Sequence, residues 1–141
     1  MTVYIAFGTA SVGKALFLAL FEHADAVDLA GHSRDADQAI EQIRREKPEL
    51  VIVEEILSTG WGMDVVDSIN YGNAGPAVVM VSTMPPPNIP AEFRYRGIDQ
   101  WIQLPQDVET LHDSLGFLLK ANHGTAIVSW RRHLAKEDTT K

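Results

Sequence analysis

Residues 50–53 read LVIV, set between Pro48 and the acidic pair Glu54 and Glu55. Four consecutive apolar positions leave no side of a strand for water, so both faces must be covered, which is the condition of a central strand in a parallel sheet. Residues 77–81, AVVMV, repeat the pattern and end at Ser82 and Thr83. Weaker strand runs lie at residues 2–7 (TVYIAF), at residues 27–30, and at Trp101 with Ile102. Helix-period segments separate them. Val12, Leu16, Ala19 and Leu20 share one face of residues 11–24, with Ser11 the expected cap. Ala36, Ala39, Ile40 and Ile43 fall at i, i+3, i+4 and i+7 in a helix that ends near Lys47, before Pro48. A short third helix is expected over residues 63–69, and a fourth over residues 91–95, ended by Gly97. Pro105 and Asp107 open a last helix with Val108, Leu111, Leu115 and Leu118 on its inward stripe. Strand and helix alternate five times, which writes an α/β fold with a doubly wound, five-stranded parallel sheet.

With 141 residues, 45% hydrophobic and 22% charged, the chain has the length and balance of one globular domain. Residues 1–122 form that domain and residues 123–141 a short extension. A formal charge of −7 makes most of the surface repel a phosphate polyanion, so neither nucleic acid nor an acidic membrane is an expected partner. Without cysteine there is no thiolate nucleophile and no thiolate metal ligand. No apolar run reaches the length of a membrane span, and MTVYIAFG lacks the basic start of a secretory signal, so a cytoplasmic protein is expected.

In open parallel sheets the chemistry gathers at the carboxyl ends of the strands. Those positions are Phe7, Gly8 and Thr9; Glu54 and Glu55; Ser82 and Thr83; and Trp101 with Leu104 and Pro105. Across residues 2–121 their order and spacing resemble the receiver domain of bacterial response regulators, the phosphorelay component of two-component signal transduction. In PELVIVEEILSTGWGMDVVDSI, Glu54 stands where the family has its phospho-accepting aspartate, and Gly62 matches the glycine opening the next helix. Ser82 matches the switch Ser/Thr, Trp101 the switch aromatic, and Leu104 the family's lysine, followed by Pro105. The resemblance therefore implies a flavodoxin-like (βα)5 topology. The two magnesium-holding acids that follow strand one in the family read Phe7 and Gly8 here, and the lysine reads Leu104. An atypical receiver follows, working without phosphorylation, with no catalytic residue, metal or cofactor of its own. Glu54 is expected either to lie toward the missing phosphoryl group, hydrogen-bonded to Ser82, or to be a solvated strand-end carboxylate. Trp61 is a candidate to cover the altered pocket together with Phe7.

A second motif points elsewhere. Residues 8–14, GTASVGK, fit the G-x-x-x-x-G-K core of a phosphate-binding loop from Gly8 to Lys14, and LVIVEE resembles its acid-ending strand. A small nucleotide-binding protein is the alternative reading, weakened because Ala15 stands where the metal-ligating hydroxyl belongs. FGTAS as a flavin phosphate loop is a weaker variant of it. The five histidines are scattered, and no serine lies in a G-x-S-x-G elbow, so neither a metal site nor a hydrolase triad is expected.

The resemblance places the usual contact face of receivers on Phe93, Tyr95 and Trp101, aromatic residues suited to anchoring a protein partner of signalling or regulatory type, a second copy of the chain included. Consecutive prolines 85–87 are expected to stiffen the preceding loop. In the extension, Ile127, Trp130 and Leu134 fall at 0, +3 and +7 beside Arg131, Arg132 and Lys136, the pattern of a short amphipathic helix.

Overall fold

Both all-apolar runs are central strands. In the computed structural model, which describes residues 1–25, 27–69, 75–85 and 97–103, every residue of β3 (Leu50–Glu54) and of β4 (Ala77–Ser82) is buried. They join β1 (Thr2–Ala6), β2 (Asp28–Ser33) and β5 (Gln100–Gln103) in one sheet of order β2-β1-β3-β4-β5, with every neighbouring pair parallel. The connections run through α1 (Ala10–Glu22) between β1 and β2, α2 (Ala36–Glu46) between β2 and β3, and α3 (Gly62–Ile69) between β3 and β4. The expected doubly wound sheet is therefore present. Strand order reverses between β1 and β3, which opens a crevice at their carboxyl ends.

Strand alternation sorts the core into two layers. Val3, Ile5, Leu50, Ile52, Val79, Val81 and Ile102 cluster with Val12, Leu16 and Ala19 of α1. Tyr4, Ala6, Val51, Val53, Val78 and Met80 cluster with Ala39 and Ile43 of α2 and Val65, Val66 and Ile69 of α3. Each full burial of a large apolar side chain contributes about 1.5–3 kcal/mol, so the two layers carry most of the folding drive. The Tyr4 hydroxyl keeps a partner by donating to Gln42 Oε1 at 2.6 Å, and burial pushes its pKa from 10.0 up to about 12.

Two local expectations need correction. Ser11 does not cap α1. Thr9 is the N-cap residue, its side chain makes no cap bond, and its hydroxyl is spent on Glu54. The second strand also runs past Ala30 to Ser33, because β1 pairs Ile5 with His32 and Ala6 with Ser33. Gly31, His32 and Ser33 have little strand propensity, so only the ladder with β1 holds them extended. Helix α2 ends at Lys47 as expected, in the left-handed region at φ 50°, and the structure adds Asp35 as its N-cap, accepting from the Gln38 amide at 2.9 Å. Phe93, Tyr95, Leu104, Pro105, the fourth and last expected helices and the 123–141 extension lie outside the described residues. Among the described residues, no helix is long and apolar enough to cross a membrane.

Candidate functional site

The crevice has two sides, one at the exit of β1 and one at the exit of β4, with the end of β3 between them. Glu54, the last residue of β3, continues the alternation that places Leu50 and Ile52 in the α1 layer. Its carboxylate meets the start of α1. Oε1 accepts from the backbone amides of Gly8 at 2.8 Å and Thr9 at 3.0 Å, and Oε2 accepts from the Thr9 hydroxyl at 2.8 Å. Glu54 is 5% exposed. A carboxylate this buried is tolerated because three donors replace its hydration and the positive end of a helix dipole faces it.

Glu54 is thus neither solvated nor bonded to Ser82. The β3–β4 register places Glu54 beside Val81, and the Glu55 amide donates to the Val81 carbonyl at 2.8 Å. One residue further along, Ser82 lies next to Glu55 and donates its hydroxyl to Oε2 at 2.6 Å. That hydroxyl oxygen also accepts the Met84 amide at 3.0 Å, and the Met84 carbonyl accepts the Trp101 indole N–H at 3.0 Å. A hydrogen-bonded chain therefore runs from half-exposed Glu55 through buried Ser82 and the β4 exit to partly buried Trp101.

Phe7 turns away from the crevice into the α1 layer. Its ring meets Phe17 edge-on at 5.8 Å between centroids, and the Arg34 guanidinium sits 5.6 Å over it. Arg34 also donates to the Gly8 carbonyl at 2.5 Å, tying the exit of β2 to the exit of β1. Trp61, at 56% exposure, stays at the surface and does not join Phe7 over the pocket.

The same geometry answers the phosphate-loop motif. α1 already starts at Ala10, so residues 10–14 are helix rather than loop. The Gly8 and Thr9 amides, which a phosphate would need, are bonded to Glu54. Gly13 is there for packing: a Cβ on it would lie 2.4 Å from the Phe7 ring. The G-x-x-x-x-G spacing comes from two tight contacts, and the flavin variant meets the same two occupied amides.

No protein-family model and no curated protein matches the sequence. Solved structures do match. The response regulator domain of Thermotoga maritima CheB superposes with a TM-score of 0.69 at 18% identity, over 84% of this chain and 92% of that one. The response regulatory domain of mrkE from Klebsiella pneumoniae gives 0.68 at 15%, over 90% and 98%. A chain of the CheX–CheY–BeF3–Mg complex from Borrelia burgdorferi gives 0.66 at 13%, over 85% and 90%. The chain has the receiver fold.

Within that receiver fold, the structure brings Glu54 and Gly8 together and links Ser82 to Trp101, but turns Phe7 inward. Two residues take roles that the sequence reading does not assign. Glu55 is one of the strand-end positions, and the β3–β4 register makes it the partner of Ser82. Arg34 lies directly after β2, so the strand-end rule that selected the other positions also covers it once β2 is extended to Ser33.

Proposed function

We propose that this chain is an atypical, phosphorylation-independent receiver-like module of bacterial signal transduction that binds a protein partner and catalyses no reaction. The observation that carries this reading is the state of Glu54: both carboxylate oxygens, at the position equivalent to the phospho-acceptor, already accept hydrogen bonds from the β1–α1 junction. A phosphoryl acceptor needs an oxygen free to attack. Magnesium, which the receiver family would supply at this place, takes oxygen ligands in a near-octahedral set. Phe7 offers a ring, Gly8 offers no side chain, and the oxygens of Glu54 face N–H and O–H donors, so these residues do not fit the ion.

In this reading Ser82 and Trp101 keep the switch-equivalent positions, held by Glu55 and Met84 rather than by a phosphoryl group. Trp101, with Phe93 and Tyr95, forms the contact face for a signalling or regulatory protein in the cytoplasm, a second copy of the chain included. The CheX–CheY complex supports a protein as the class of partner, and the charge of −7 argues against nucleic acid and acidic membranes. An NMR titration of the full chain with magnesium and beryllofluoride tests the reading. Unmoved amide signals at Gly8, Thr9, Glu55 and Ser82 are expected. A hydroxylamine-labile adduct on Glu54 or Glu55 after incubation with an acyl phosphate and magnesium overturns it.

A further inference from the structure

Helix α1 carries two apolar stripes, and the sheet covers only one of them fully. The second comprises Phe17, which is partly buried against the core, with Leu18 and Phe21, at the i, i+1 and i+4 positions of the flank turned toward edge strand β2. With Val27 and Leu29 these side chains line an open groove of about 680 Å³. Phe21 is 80% exposed, Leu18 46% and Leu29 44%. An apolar surface gathered in one groove marks a place where something docks.

We infer that the groove is the docking site of the chain's own residues 127–136. The expected last helix has a larger apolar surface to cover. A helix is about 10 Å across and strands lie about 4.8 Å apart, so α1, crossing from β1 to β2, covers about two strands. The α1-side residues Leu50, Ile52, Val79, Val81 and Ile102 of β3, β4 and β5 therefore need the Val108, Leu111, Leu115 and Leu118 stripe. The extension remains, with Ile127, Trp130 and Leu134 on one side and Arg131, Arg132 and Lys136 beside them. Its charge complements the groove: Asp28 lines it beside one cation, Lys14, and the exposed acids Glu22 and Asp25 follow Phe21 in sequence, so acids outnumber bases here. The length suffices. Residues 104–126 span about 50 Å even with a helix over 107–120, against roughly 25 Å from the end of β5 to the start of β2. Docking of residues 127–136 makes the extension a built-in ligand, and its displacement would expose an aromatic surface to another protein. The docking holds independently of the proposed signalling role.

The absence of cysteine permits a direct test on the full chain. A nitroxide attached to a Lys136→Cys variant is expected to erase NMR amide signals of Leu18, Phe21 and Leu29, to the same degree at every protein concentration. Adding Phe21→Glu, at a position too exposed to endanger folding, or Trp130→Ala, which leaves the groove intact, is expected to restore them. Undiminished signals at the groove overturn the inference. So does signal loss that appears when isotope-enriched unlabelled chains are mixed with spin-labelled unenriched ones, because the occupant is then a second copy.

Discussion

The exits of β1 and β4 face each other across one crevice, and adjacent glutamates serve them in opposite ways. At the β1 exit Glu54 is buried and fixed by three donors, two of them backbone amides that cannot rotate away. At the β4 exit Glu55 is half-exposed and holds a single hydroxyl, itself relayed through Met84 to Trp101. The first is a structural clamp on the start of α1. The second is a relay of single bonds, through buried Ser82 and the Met84 backbone, that is open to water at its Glu55 end.

The largest effect is expected from Gly8→Ala, because the new Cβ would lie 2.2 Å from the Ile56 carbonyl oxygen and backbone must move on both sides. A loss of about 3 kcal/mol, read from the urea midpoint, is expected for such overpacking. Glu54→Ala should follow at about 2–3 kcal/mol, since it orphans donors in a buried place, and Glu54→Gln should cost less because an amide oxygen still accepts. Faster hydrogen exchange at the Gly8 and Thr9 amides is the specific sign of that clamp failing. At the opposite exit Ser82→Ala should cost about 1 kcal/mol, the worth of an ordinary hydrogen bond, while shifting the NMR signal of the Trp101 indole N–H. Glu55→Gln should change stability by at most about 0.5 kcal/mol, as its oxygen can still accept from Ser82. If Glu55→Gln proves as costly as Glu54→Gln, the contrast between the exits is wrong. Smallest of all, calorimetric titration with ATP should release no heat beyond dilution, and binding that Lys14→Ala abolishes would show that the Gly8 and Thr9 amides can leave Glu54.

Much of the fold was legible because burial on both faces is a local property of sequence. LVIV and AVVMV admit no exposed side, so β3 and β4 could be placed without knowing their neighbours. The end of β2 was not legible, since Gly31, His32 and Ser33 are extended only through their pairing with β1. At the site, Glu54, Ser82 and Trp101 were visible as strand-end residues, while the partner of Ser82 was not. That choice rests on a register difference of one residue, which places Val81 beside Glu54 and Ser82 beside Glu55. The phosphate-loop motif misled for a related reason: glycines needed for close approach to Ile56 and Phe7 happen to have the spacing of a nucleotide loop.

The sequence by itself determined the layer architecture, the strand count and the place where functional groups collect, because hydrophobic periodicity acts over a few neighbouring residues. Only the tertiary structure decided what the collected groups do. Glu54 becomes a clamp, Phe7 a core residue and Glu55 the holder of Ser82 through strand register and helix start, relations between segments far apart in the chain that no local pattern encodes.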